Sequence, residues 1–245
     1  MRLILDILRR ENASAASYRQ RIPFETDDRT VTAAAALHEL NRTLPPDENG
    51  TPIKPIRWEC SCMQKKCGAC AMRIGGVPRL ACDTKLTEFE KHGVLTLEPL
   101  RKFPVIADLI VDRSIMMENL RMLKAWLSEE SVADETVGAL TYDAARCLQC
   151  GCCLEVCPNF CADGSFFGMS AAVPAARLLS AMSDTQKAAF SCAYRRHIYE
   201  GCGKSLACRT ICPAGIDIER LLVNSNAAAV WKRRKAFRVR PEEQP

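Results

Sequence analysis

No stretch of the 245-residue sequence approaches the roughly 18 uninterrupted apolar residues that a membrane-crossing helix needs. The chain is therefore expected not to span a bilayer by itself. Its first eleven residues mix charges with aliphatic side chains and lack the apolar run and small-residue cleavage site of a secretory signal, which points to the cytoplasm. Histidine is scarce: His38, His92 and His197 show no ligand spacing with each other or with a cysteine pair, and surface positions are expected for all three. A dinucleotide-binding glycine fingerprint is missing, so no flavin or nicotinamide site is expected on this chain. Charge of one sign is also missing, with 34 Lys and Arg against 29 Asp and Glu. The small excess sits in a terminal run, Lys232, Arg233, Arg234, Lys235, Arg238 and Arg240 against Glu242 and Glu243. Such a run can touch anionic lipid headgroups, but it reads first as a solvated terminus. No aromatic-interleaved basic surface accompanies it, so nucleic acid is not an expected partner.

What the sequence has in abundance is cysteine, 15 residues. In a reducing compartment structural disulfides are rare, and an odd number of thiols at regular close spacings points to metal ligation. Much of the 48 % hydrophobic share is Ala and Cys rather than large side chains. Bound metal is thus expected to contribute much of the folding free energy, since ligands assembled only in the folded state couple binding to folding.

The hydrophobic pattern divides near residue 102, into 1–102 and 103–245. In the first part Leu3, Leu5 and Ile7 alternate as in a strand, a second strand fits 19–24, and Thr30 or Thr32 can cap a helix over 33–44 that Pro45 and Pro46 stop. A loop at 47–50 and an extended stretch at 56–59 follow. Residues 72–74 and 78–81 flank Gly75-Gly76 as a hairpin, and 94–98 alternates once more. In the second part, apolar residues from Ile106 to Leu127 recur at helical spacing, which predicts one helix with Pro104 in its first turn and Met116 and Met117 in the core. Further helices are expected over 171–182 and 218–230. The fold class is α+β, a small mixed domain followed by a helical one.

Three cysteine groupings carry the chemistry. Cys62, Cys67 and Cys70, in the run CMQKKCGAC, with Cys82 eleven residues later, follow the plant-type ferredoxin spacing for a 2Fe-2S cluster. A four-cysteine zinc site is the alternative, although zinc ribbons bring their cysteines as two close pairs. In RCLQCGCCLEVCP, Cys147, Cys150, Cys153 and Cys157 obey the bacterial ferredoxin run, ending on Pro158. Its near copy, GCGKSLACRTICP, has Cys202, Cys208 and Cys212 but Ser205 in the second position. In such two-cluster repeats the last cysteine of each run ligates the other cluster. Cys147, Cys150, Cys153 and Cys212 then hold a 4Fe-4S cluster, leaving Cys157, Cys202 and Cys208 for the other. Three thiolates imply 3Fe-4S, because a serine hydroxyl is harder and far less acidic than a thiol; a serine-ligated or labile 4Fe-4S cluster is the alternative. Cys60, Cys152, Cys161 and Cys192 are left over and are expected to pack as small apolar residues.

These three groupings, in this order and with Ser205 in the vacant position, resemble the iron-sulfur subunit of succinate dehydrogenases and fumarate reductases over nearly the whole chain. The resemblance implies an N-terminal plant-type ferredoxin domain of the β-grasp kind and a helical bacterial-ferredoxin-like domain. It implies an oxidoreductase subunit that binds no substrate itself. Electrons would pass between the FAD of a flavoprotein subunit and a quinone at a hydrophobic, cytochrome b-type membrane anchor, on the cytoplasmic face of the membrane. Pro158, Gly203 and Ser205 would lie near the quinone. Ubiquinone-using relatives carry tryptophan and histidine where this sequence has Cys161, Ala162 and Gly203, which points to menaquinone. A free-standing ferredoxin-type carrier and the iron-sulfur subunit of a soluble flavoprotein reductase are the rival readings.

Overall fold

The computed structural model describes residues 1–131 and 138–231; the basic run at 232–240 lies outside the described residues. The N-terminal half is a five-stranded mixed sheet, with β1 (Arg2–Arg9), β2 (Tyr18–Glu25), β3 (Ala71–Ile74), β4 (Val77–Leu80) and β5 (Val94–Glu98) in the order β2-β1-β5-β3-β4. β1 runs parallel to β5 and every other neighbour is antiparallel. The alternation in β1 places Leu3, Leu5 and Ile7 in the core at 1 % exposure or less. Helix α1 (Ala33–Thr43) starts where Thr32 Oγ1 accepts the Ala35 amide at 3.2 Å, and ends on Leu44 in the left-handed region. Its buried stripe, Ala33, Ala34, Ala36, Leu37 and Leu40, joins the same core. The stretch at 56–59 lies outside the sheet, held by Asn41, which bonds both the amide and the carbonyl of Ile56.

The single helix expected from Pro104 onward is replaced by a hairpin, β6 (Val105–Ala107) and β7 (Ile110–Val111), and only then by helix α2 (Ser114–Met122). The cause is Asp108. Its carboxylate, 2 % exposed, accepts from Arg9 Nε and Nη2 at 3.1 and 3.2 Å and from the Arg10 and Arg57 amides at 2.9 Å each. That anchorage puts Asp108 at φ +45° in a turn. Ile106 and Met117 are exposed as a result, while Met116 is buried, so the expectation of two core methionines holds for one.

The C-terminal half is helical: α3 (Gly138–Ala145), α4 (Cys152–Glu155), α5 (Met169–Ala181), α6 (Asp184–Tyr194), α7 (Ala207–Ile211) and α8 (Ile218–Ala229), with one π-turn at Arg195–Tyr199. α6 begins with a reciprocal Ser183–Gln186 capping box. Five Ala, Leu123, Leu179, Tyr194 and Ile218 are among the residues of a second core. The first core reaches beyond the sheet to Cys150, Cys152, Leu154 and Phe160. Residues on either side of position 102 therefore share packing around α4.

Candidate iron-sulfur cluster sites

The β3–β4 hairpin, turned on Gly75 and Gly76, returns the chain so that the Ala81 amide donates to the Cys70 carbonyl at 3.1 Å, and Cys82 follows in a 3₁₀ turn. In the preceding loop Met63 and Lys65 both take left-handed backbone, at φ +53° and +59°. That winding aims successive amides at sulfur: Gln64 and Lys66 donate to Cys62 Sγ at 3.3 and 3.2 Å, and Lys65 donates to Cys82 Sγ at 3.3 Å. The Gln64 and Lys66 amides lower the Cys62 thiol to about 7, with Cys67 also hydrogen-bonded to it. Burial pushes Cys70 up to about 12, next to Cys82. The four thiols thus form two neighbouring pairs, Cys62 with Cys67 and Cys70 with Cys82, the arrangement that two thiolates on each of two irons require.

In the helical half, Cys147, Cys150, Cys153 and Cys212 line one cavity whose other walls include Met169, Val173, Ile216 and Ile218. Gln149 Nε2 donates to Cys147 Sγ at 3.4 Å and to the Ser170 carbonyl at 2.9 Å, tying the run to α5. Burial raises the Cys147 thiol, and burial together with Cys150, Cys147, Cys208 and Cys212 raises Cys153 far more. The second group is Cys208, Cys157 and Cys202: burial first, then the charges of Cys157 and Cys202, push Cys208 up to about 11. The structure therefore brings together each of the three sets named from spacing. Among the described residues, no three His, Cys, Asp or Glu side chains converge on a single-ion site.

The chain matches two family models, a 2Fe-2S iron-sulfur cluster binding domain over residues 4–118 and a 4Fe-4S dicluster domain over residues 143–216. It is 32 % identical over 231 residues to the succinate dehydrogenase iron-sulfur subunit of Bacillus subtilis, covering 86 % of each chain. The chain belongs to the iron-sulfur subunits of succinate dehydrogenases and fumarate reductases. The fumarate reductase iron-sulfur subunit of Mycobacterium tuberculosis is 35 % identical over 179 residues, 66 % of this chain and 68 % of that one. A chain of the Mycobacterium smegmatis Sdh1 complex in the apo form has the same fold, with a TM-score of 0.71 at 21 % identity, over 96 % of this chain and 99 % of that one.

In this iron-sulfur subunit the left-over cysteines divide. Cys152 is fully buried and hydrogen-bonds Cys150, lowering that thiol to about 7 while its own is driven far up. Cys60, Cys161 and Cys192 are exposed, which corrects the expectation that all four pack as apolar residues. His197 lies at the surface, half-buried, where it stacks on Phe167 at 4.1 Å and meets the Ser165 carbonyl through Nδ1 at 2.8 Å. Pro158, Gly203 and Ser205 are all exposed. A Cβ on Gly203 would stand 2.9 Å from Asn159 Nδ2, and Asn159 in turn donates to the Gly201 carbonyl at 2.7 Å, so the two cysteine runs meet there.

Three charged residues went unread in the sequence. Arg113 caps the space between the first two sites, donating to the carbonyls of Gly68, Ala69 and Cys150. Lys102 donates to the carbonyls of Cys157 and Phe160, and Glu155, buried, accepts from Arg73 at 3.0 Å and from the Lys102 amide at 3.1 Å. All three look in sequence like ordinary solvated charges, and only the fold brings their targets within reach.

Proposed function

We propose that this subunit relays electrons between the FAD of a flavoprotein partner and menaquinone at a membrane-anchor partner, through 2Fe-2S, 4Fe-4S and 3Fe-4S clusters in that order. The ligands are Cys62, Cys67, Cys70 and Cys82 for the first, Cys147, Cys150, Cys153 and Cys212 for the second, and Cys157, Cys202 and Cys208 for the third. The observation that carries this reading is the succession of the sites. The Gly68 loop of the first abuts Leu148 and Cys150 of the second, and Cys153 of the second feels the charge of Cys208 in the third. Iron-sulfur clusters supply one-electron steps, at potentials set by cluster type, hydrogen bonds and burial. The chain's residues would hold them, and Met169, Val173, Ile216 and Ile218 give the middle cavity an apolar wall.

Ser205 supports the three-iron assignment, since it is exposed and no cysteine takes its place. The exposed end at Pro158, Gly203 and Ser205 is assigned to the quinone, and menaquinone follows from Cys161, Ala162 and Gly203 standing where ubiquinone-using relatives carry aromatic and histidine side chains. No helix among the described residues is long and apolar enough to cross a membrane, which fits attachment to the cytoplasmic face through the anchor.

Low-temperature EPR with iron quantitation on anaerobically purified protein tests the reading. A 3Fe signal when oxidised, a 2Fe-2S signal on reduction and about nine irons per chain are expected from the ligand sets. About ten irons without the oxidised 3Fe signal would replace the third cluster by 4Fe-4S and return the soluble-reductase reading. Purification without a flavoprotein and a hydrophobic partner would favour the free carrier. Reconstituted complex that reduces ubiquinone analogues much faster than menaquinone analogues would overturn the quinone assignment.

A further inference from the structure

The Arg113 side chain, 17 % exposed, lies where the two halves of the molecule touch. Its Nη1 donates to the carbonyls of Gly68 at 3.2 Å and Cys150 at 3.3 Å, and its Nη2 donates to Ala69 at 2.9 Å and to the Glu59 carboxylate. Gly68 and Ala69 sit between Cys67 and Cys70, so one guanidinium grips a segment of each cluster loop. The loops meet with no side chain between them: a Cβ on Gly68 would fall 2.6 Å from the Leu148 carbonyl and 2.9 Å from Cys150 Cβ. Three carbonyls converging on one point repel each other unless a donor with several fixed N–H groups lies among them, which the planar guanidinium provides and an ammonium does not. A fixed positive charge beside two groups that each gain an electron also favours their reduced forms.

We propose that Arg113 is a positioning residue that fixes the spacing of the 2Fe-2S and 4Fe-4S sites and raises the potentials of both; this rests on the ligand assignment above. The test is a potentiometric EPR titration of the full cluster-loaded chain. In Arg113→Gln the reduction equilibrium of the first two clusters falls about tenfold, or 59 mV for one electron, while the third is unchanged. The relaxation enhancement of the 2Fe-2S signal by the reduced neighbouring cluster weakens with it. Arg113→Lys, which keeps the charge but not the fork, retains the potentials and still loses relaxation enhancement. Fully loaded Arg113→Gln with unaltered potentials and relaxation overturns the proposal. If that variant does not load, Arg113→Lys decides, and wild-type relaxation in it overturns the positioning role. Wild-type protein lacking either a 2Fe-2S or a 4Fe-4S signal would instead sink the ligand assignment, with Arg113 not at fault.

Discussion

Several buried thiolates close together are unfavourable until metal neutralises them, and burial beside Cys157 and Cys202 pushes the Cys208 thiol up to about 11, so in the protein alone it keeps its proton. A fourth thiol at the Ser205 position would complete the set. We expect Ser205→Cys to convert the third centre to 4Fe-4S with a lower potential; EPR on the oxidised variant that still shows the 3Fe signal refutes the assignment. A second single-residue effect concerns Asp108. Burial works against its charge, but the hydrogen bond from Arg9 and the amides of Arg57 and Arg10 outweigh it and hold its carboxyl below the usual range. Its folded-state pKa is depressed, so its contribution to stability is present above the unfolded pKa, about 4, and is lost as the pH falls through the folded value. Asp108→Asn strands the buried Arg9 and should cost about 3 kcal/mol, lowering Tm by about 6–12 °C near neutral pH. Thermal unfolding of the loaded protein checks it, and the gap to wild type should begin to narrow below about pH 4 and close once the pH has fallen through the depressed folded-state value. The cysteine groupings that the fold brings together were legible from spacing, because cluster geometry constrains sequence distance. Arg113, Lys102 and Asp108 were not, because their partners lie 37 to 99 residues away in the chain.

At the level of elements, β1, β2, β5, the β3–β4 hairpin and α1 follow directly from alternation, a Gly-Gly turn and a Thr cap. The run 104–127 misled because a hairpin and a nine-residue helix placed end to end reproduce the spacing of a longer helix, and the buried Asp108 that breaks it carries no local signal. α4 and α7, of four and five residues, were not anticipated. Helices so short do not persist on their own propensity; both are segments of the cysteine runs. α4 is held by Gly168, at φ +68°, where α5 begins: a Cβ there would stand 2.3 Å from Leu154 Cδ2. We expect Gly168→Ala to displace α4, which carries Cys153 and leads into Cys157, and to reduce iron in the second and third centres while the 2Fe-2S signal persists. Metal analysis with EPR on the variant decides this, and full loading of all three centres contradicts it.

Across the whole molecule the two cores differ in kind. The sheet core is built mostly of Leu and Ile on long-range strand pairs, whereas the smaller helical core draws a larger share from alanine and has no sheet ladder, and thiols border both. Removing iron should therefore loosen the halves unequally. Hydrogen exchange on the iron-free chain is expected to quicken by several orders of magnitude in 143–216 while the β1, β2 and β5 amides stay protected, a span of local stabilities ordinary for proteins. Uniform exchange throughout would mean that the sheet core also depends on the clusters. The cavity that Cys147, Cys150 and Cys153 share with Cys212 has a further consequence, in time rather than space. A ribosome synthesising this chain releases three walls of that cavity long before the fourth, because Cys212 emerges sixty-two residues after Cys150. With the proposed ligand set, metal delivery to the middle site must wait for Cys212, so translation products cut short before it cannot sequester a complete cluster there.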